Sequence, residues 1–468
     1  MEKQESELYK KAVDVLDRNW NGKFTIPAST LYPHQWSWDT GFITIGTSYF
    51  DSKRAIREIE FLYDAQWKDG MVPHIVFNEK EKTYFPAADF YDVTRSDNAP
   101  KDIGTSGMTQ PPVHAISCYY IFKNSKDKTK SMDFLKRIFP KIKYFHKFLM
   151  SYRDPEMSGL VTIFHPWESG LDDSPIWDEP LSRIEVKELP KFKRLDVVAV
   201  GGPKAADTIP SDWEYNKFIY LIELMKKYNY DQKKIYEVFP FKVKDIVFSC
   251  IFYVANKFLI EIANLIDEDT SEIESWLSKA QNNFYKYFYK SSNNNKGNED
   301  VSSDKLGSNE ENLFYDYDLV QNKSIKKKTV SSLIPIYTGL ISKEEAEVIL
   351  RWITHAHFCG EGSYCHEPTI PSTDLEVSYF KPITYWRGPV WINTNWMIWL
   401  GLQKYGYHHE AKLIKQGVVE LVQNHGFREY YDPFKGQGLG GKDFSWTASL
   451  VIDMLMDKEI GVCHSIKY

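Results

Sequence analysis

The chain is 468 residues long, 43% of them apolar, with a formal net charge of −6, enough sequence for one large core or for two or three ordinary domains. Lys and Arg are scattered along it rather than gathered in stripes, which argues against nucleic acid as a partner. Aromatic residues stand out, with 14 Trp, 30 Tyr and 28 Phe, a composition that serves sugar stacking and core filling alike.

Residues 1–7 are charged and no apolar run follows them, so no secretory leader is read and a cytoplasmic location is expected. Helical periodicity then recurs at 6–19, 52–67, 113–122, 132–152, 213–228, 247–266, 270–289, 343–354, 390–405, 408–424 and 446–456. The run 246–266 is the most apolar, but Asn256, Lys257, Glu261 and Asn264 interrupt it, which predicts a buried core helix rather than a membrane span. Long loops rich in Gly, Pro and aromatics lie at 20–38, 67–112, 155–212, 355–389 and 425–445. Paired helices with such loops gathered at one end predict an all-α fold, an (α/α) toroid with a pocket at its long-loop face. Residues 291–311 are rich in Ser, Asn, Asp, Glu and Gly and predict a mobile surface insertion. Helical patterning resumes at 330–340, and 1–468 is read as a single catalytic domain. The five cysteines, Cys118, Cys250, Cys359, Cys365 and Cys463, are a sparse, odd set that predicts reduced thiols.

Two acidic segments far apart in the chain, Trp167-Glu168-Ser169-Gly170-Leu171-Asp172-Asp173 and Phe427-Arg428-Glu429-Tyr430-Tyr431-Asp432-Pro433, read as two halves of one active site. Each sets carboxylates among aromatics in a stretch without clean periodicity, where loops carry chemistry. The chemistry that most often needs two such carboxylates is glycoside hydrolysis. A general acid at neutral pH needs a raised pKa, which a neighbouring carboxylate or an apolar wall supplies; Trp167, Glu168, Leu171 and Asp173 stand beside Asp172 for that purpose. An ordinary acidic turn is the other reading of the same spacing.

Three further clusters bear on the site. Tyr32-Pro33-His34-Gln35-Trp36-Ser37-Trp38-Asp39 precedes an apolar helix and offers a stacking surface beside an acceptor for sugar hydroxyls; alternatively Asp39 is an N-cap and the tryptophans are core. Tyr385-Trp386-Arg387-Gly388-Pro389-Val390-Trp391 is a dense aromatic turn into a helix, with Pro389 placed for its first turn. Arg387 there orients a catalytic carboxylate or a substrate hydroxyl, or else forms a structural ion pair. The run Gly436 to Lys442 nearly spells a phosphate-binding loop, but Asp443 stands where Ser or Thr must bind magnesium and no apolar strand precedes it, so nucleotide binding is rejected. His355, His357, Cys359, Cys365 and His366 are metal-ligand types at spacings that fit no standard zinc pattern, and no metal is assigned.

Taken in order, these constellations resemble glycoside hydrolase family 63 and its relative, the trehalase family, from about residue 30 to 456. The resemblance implies an (α/α)6 barrel, inversion at the anomeric carbon, the general acid on Asp172 and the general base on Glu429. Inversion calls for carboxyls about 6.5–9.5 Å apart, to admit a water. By the same likeness Tyr32, Trp36, Trp38, Asp39, Tyr84, Gln110, Trp167, Gly170, Tyr215, Tyr385, Trp386, Arg387 and Trp391 bind substrate, with Tyr84, Gln110 and Tyr215 on looser local matches. Compact members resemble mannosylglycerate and glucosylglycerate hydrolases. Two segments depart from the pattern: 355–366 is unlike the usual sequence before the Trp386 motif, and 182–211 offers no evident Arg for a glycerate carboxylate.

The expectation is therefore an inverting α-glycosidase acting on a small α-glucoside or α-mannoside. It needs no cofactor, its partner is a small carbohydrate rather than a membrane, and a homo-oligomer is left open. The rivals are a trehalase-like disaccharidase, a sugar epimerase, which would need histidine acid/base groups in the pocket, and a catalytically silent sugar-binding module.

Overall fold

The computed structural model describes residues 3–81, 84–196, 208–289 and 312–457. The insertion expected at 291–311 and Cys463 lie outside them. Thirteen helices carry the argument: α1 (Lys3–Arg18), α2 (Ser37–Thr47), α3 (Ser52–Asp64), α4 (His114–Asn124), α5 (Lys128–Tyr152), α6 (Asp212–Lys227), α7 (Ile246–Ile266), α8 (Ser271–Phe288), α9 (Pro335–Thr338), α10 (Lys343–Thr354), α11 (Ile392–Lys404), α12 (His408–His425) and α13 (Ser445–Met456).

Six of them close a ring, each touching the next: α2, α4, α7, α9, α11, α13 and back to α2. Helices in this position are covered on every side, so they read as apolar all round. Every residue of α2 is buried, and only Lys404 of α11 and Met456 of α13 escape burial. The amphipathic helices form the outer layer and pack on the ring in turn: α1 on α13, α3 on α2 and α4, α5 on α4 and α7, α8 on α7, α12 on α11 and α13. This is an all-α, (α/α)6 toroid. Helix α7 is long and apolar enough to cross a membrane, yet it is a member of the buried ring, because the toroid covers its apolar surface with protein.

Helix ends follow local chemistry. Both α6 and α10 begin at complete capping boxes, Ser211 with Glu214 and Ser342 with Glu345, in which a serine hydroxyl and a glutamate satisfy orphan backbone N–H groups reciprocally. Three expectations change. The pattern at 330–340 is a 3-10 turn, Val330–Ser332, followed by the single-turn α9 that Pro335 opens. Helix α2 starts at Ser37, so Asp39 sits in its first turn and Trp36, not Asp39, is the N-cap residue. Helix α11 starts at Ile392 rather than near Pro389, because Val390 is drawn into an extended bridge with Tyr431.

The strands are short and sit at the loop face. β1 (Gln35–Trp36) pairs with β2 (Ile75–Val76). β3 (Thr162–Ile163), β4 (Val243–Lys244), β5 (Asp316–Asp318) and β6 (Lys323–Ile325) form one antiparallel sheet. β7 (Arg428–Tyr431) pairs with β8 (Gly438–Lys442). The expectation of reduced thiols throughout is corrected: Cys359 and Cys365 form a disulfide with Cα atoms 5.4 Å apart, while Cys118 and Cys250 are free and buried in the ring. A six-residue separation lets one tight loop bring the two thiols together, which a count of cysteines does not reveal.

Candidate active site

The loop face opens into a cavity of about 420 Å³, within the range of small-ligand sites. Asp172 lines it from one side and Glu429 from another, with Asp39 beside them.

The Asp172 side is built on a one-turn helix, Pro166–Ser169, that follows β3. His165 accepts from the Trp167 N–H at 3.0 Å, and Gly170 ends the turn at φ 76°. A Cβ on Gly170 would lie 2.3 Å from the Trp38 ring, so glycine serves there both the left-handed backbone and the close approach of the tryptophan. Glu168 is not a pocket acid. It is fully buried, takes both guanidinium nitrogens of Arg153 at 2.7 Å, and accepts from the Phe164 and Thr109 N–H groups at 2.7 and 3.3 Å. Asp173, the next residue after Asp172, also turns away from the cavity and pairs with Arg387 at 3.0 Å. That leaves Asp172 facing the cavity alone. Its pKa is raised well above the usual carboxylate value, by burial first and then by the charge of Glu429.

The Glu429 side is a β-hairpin. The register of β7 on β8 shifts between Arg428 and Tyr430, and such an irregularity re-aims the side chain it contains. Glu429, 2% exposed, points at the cavity with Oε2 accepting from the Gly441 N–H at 2.7 Å. Its Oε1 accepts from the hydroxyls of Tyr32 at 2.8 Å and Tyr385 at 3.3 Å. Gly440 stands at φ 63°, where a Cβ would lie 2.3 Å from Glu429 Oε2. The glycine run is thus the wall against which this carboxylate rests. Burial pushes the Glu429 pKa up to about 7, against the lowering pull of Gly441, Tyr32 and Tyr385. Asp39 is raised well above its ordinary value by burial and then by Glu429.

Trp36 meets Tyr32 and Tyr84 edge-on, with centroids 5.3 and 5.4 Å away, and Trp167 meets Tyr215 at 6.0 Å. Gln110 accepts from the Trp38 N–H at 3.3 Å, which leaves its NH2 as the donor on offer. Tyr32, Trp36, Trp38, Asp39, Tyr84, Gln110, Trp167, Gly170, Tyr215 and Tyr385 all line the cavity. Three expected contacts stand behind the wall instead. Trp386 stacks flat on Trp391 at 3.9 Å, and Trp391 stacks on Tyr430, which does line the cavity. Arg387 bonds Asp173, Asp178 and Glu214, the ion-pair alternative. The sequence reading did not single out His74, Asp196, Ile209, Pro210, Phe444 or Trp446, which also line the cavity. Trp446 was within reach: like Trp38, it follows a short aromatic run at the start of an apolar ring helix. Burial lowers the His74 pKa to about 3, so it is neutral at pH 7. Among the described lining residues there is no Lys or Arg, and the 355–366 cluster is not part of the lining. His357 there bonds Asp374 at 2.9 Å.

An (α/α)6 toroid whose loop-face cavity sets carboxylates with raised pKa values, Asp39, Asp172 and Glu429, among aromatic rings defines a helical glycoside hydrolase. Residues 32–447 match the model of the mannosylglycerate hydrolase MGH1-like glycoside hydrolase domain, and the chain belongs to that family, within glycoside hydrolase family 63. It is 38% identical over 447 residues to a mannosylglycerate hydrolase of Thermus thermophilus, covering 94% of this chain and 99% of the relative. It is 33% identical over 459 residues to a glucosylglycerate hydrolase of Mycolicibacterium hassiacum, covering 96% and 98%. The crystal structure of a family 63 mannosylglycerate hydrolase from Thermus thermophilus, in complex with Tris and D-glycerate, superposes with a TM-score of 0.84 at 38% identity, covering 95% of this chain and 99% of that one.

Proposed function

We propose that this glycoside hydrolase cleaves mannosylglycerate or glucosylglycerate with inversion, using Asp172 as general acid and Glu429 as general base. The observation that carries the reading is the unequal tethering of Asp172 and Glu429 in the cavity. Glu429 is gripped by the Gly441 N–H and two tyrosine hydroxyls, which stabilise its ionised form. Asp172 has a pKa held high by burial and by Glu429, which keeps it protonated and able to donate.

In the reaction Glu429 takes a proton from a water as that water's oxygen bonds to the anomeric carbon. The glycosidic C–O bond breaks, and Asp172 gives its proton to the departing glycerate oxygen. The released sugar has the β configuration. Trp36, Trp38 and Trp167 offer apolar faces to the sugar ring, and Asp39 accepts from its hydroxyls. The glycerate half rests on the names of the relatives. It is supported by the neutral donors Tyr84, Gln110 and Tyr215 on the wall. Arg194 lies 4.3 Å above the Tyr215 ring but is engaged by Asp196 and Asp212.

Proton NMR of the anomeric region from the earliest time point tests this, with mannosylglycerate, glucosylglycerate and trehalose as substrates. The expected result is early β-sugar from one of the two glycerates. Early α-sugar would overturn inversion, and release from trehalose alone would overturn the aglycone.

A further inference from the structure

Residues 208–215 form one wall of the cavity through Ile209, Pro210 and Tyr215. The same segment grips both catalytic halves from behind. On the base side, the Thr208 carbonyl accepts from the Tyr430 hydroxyl at 3.0 Å and the Tyr385 N–H at 3.3 Å. On the acid side, Glu214 Oε1 accepts from Arg387 Nη2 at 2.6 Å, and Arg387 Nε donates to Asp173 Oδ1 at 3.0 Å. Asp173 adjoins Asp172 in the turn that Ser174 closes by donating its N–H to the Leu171 carbonyl.

The charges in this network do not balance. One guanidinium faces three carboxylates, since Asp178 also takes Arg387 through Nη1 and Nη2 at 3.2 and 2.5 Å. Asp173 Oδ2 is buried with no donor to satisfy it. A carboxylate oxygen next to another acceptor is satisfied only if one of the pair carries a proton. Burial and the bond to Glu214 raise the Asp173 pKa well above its ordinary value. For Glu214, burial opposes ionisation, but the bonds from Asp173, Arg387 and Ser211 outweigh it and lower its pKa to about 2. Burial and the neighbouring Glu214 thus favour the protonated form of Asp173, while Arg387 and Ser211 favour the ionised form of Glu214. The other oxygen of Glu214 caps α6, accepting from the Ser211 N–H and hydroxyl at 2.8 and 2.7 Å.

We propose that Glu214 is a positioning residue for the general acid: through Arg387, which bridges it to Asp173, it fixes the Asp172 turn against the cavity wall that Ile209, Pro210 and Tyr215 form. This rests on the assignment of Asp172 as the acid. A residue that holds the acid in place matters only when the leaving group needs a proton. Its loss is felt on an alkoxide leaving group and spared on fluoride.

The test compares kcat on the glycosylglycerate with kcat on the α-fluoride of the same sugar, for wild type, Asp172→Asn, Glu214→Gln and Arg387→Lys. Glu214→Gln is expected to lower kcat on the glycerate about 10–100-fold, as for a misplaced catalytic group, while the fluoride falls less than about threefold. Arg387→Lys keeps the charge but cannot bridge three carboxylates, and is expected to show the same split. Equal losses on both substrates, or a rise in KM alone, would overturn the proposal. If Asp172→Asn itself lowers both rates equally, the acid assignment fails and the proposal with it; a split for Asp172→Asn but none for Glu214→Gln and Arg387→Lys removes the proposal alone.

Discussion

The two halves of the site are held by opposite means. The turn that carries Asp172 is fixed by buried guanidinium–carboxyl contacts: Glu168 with Arg153 below it, and Asp173 with Arg387, itself held by Glu214, behind it. The base is fixed by backbone and neutral groups: a register shift in β7, the Gly441 N–H, a glycine at 440 and two tyrosine hydroxyls. Charged groups hold the turn of the proposed acid, Asp172, while hydrogen-bond donors hold the proposed base, Glu429. The difference follows from the roles, because donors stabilise an ionised carboxylate whereas burial stabilises a neutral one.

Several substitutions break or sharpen this contrast. The largest effects are expected at the carboxylates themselves. Asp172→Asn and Glu429→Gln should each lower kcat on the glycosylglycerate by about 10²–10⁴-fold, and only the Glu429 variant should lose as much on the glycosyl fluoride. Next comes Glu168→Gln, which strands the buried Arg153 guanidinium. Breaking such a pair costs about 3–5 kcal/mol, read as a lower denaturant midpoint. Tyr385→Phe on the base side should cost about 1 kcal/mol, and equal losses would erase the contrast.

Gly440→Ala tests the backbone wall. Its Cβ would press on Glu429 Oε2 at 2.3 Å, so kcat should fall about 10²-fold, the scale of a 1 Å misplacement, on natural and activated substrates alike. The smallest effect is a shift in pH dependence. The base must be ionised, so kcat/KM should rise with pH through the Glu429 pKa of about 7. Tyr32 lowers that pKa, so Tyr32→Phe should move the rising limb to higher pH by about one to two pH units, the value of one hydrogen bond to a charged group. A move to lower pH would show that Tyr32 does not support the ionised base.

Much of the scaffold was legible because its causes are local. The helix expected at 343–354 is α10 residue for residue, set by the capping box at Ser342 and by 3.6-residue periodicity. The apolar runs that became α7 and α13 were legible as helices, though nothing in their order says which neighbours they meet in the ring. Tyr32, Trp36, Trp38 and Trp167 could be singled out as wall residues because dense motifs surround them. Trp386 and Trp391 carry the same signature and lie one layer behind, since residue type does not encode depth. Arg387 was ambiguous for a similar reason: its partners Asp173, Asp178 and Glu214 lie 214, 209 and 173 residues away.

By itself the sequence determined the helical class, the cap chemistry that starts α6 and α10, and the two acidic segments that hold the proposed reacting groups. All of these depend on neighbours within a few residues. Only the tertiary structure decided which acid of each segment faces the cavity. Glu168, Asp172 and Asp173 lie within six residues, yet the fold sends the first to Arg153, the last to Arg387 and only the middle one to the cavity. Each outcome turns on a cation or an N–H brought from elsewhere in the chain. Burial makes an unpaired charge costly enough that its partner, rather than its position in the sequence, settles its role.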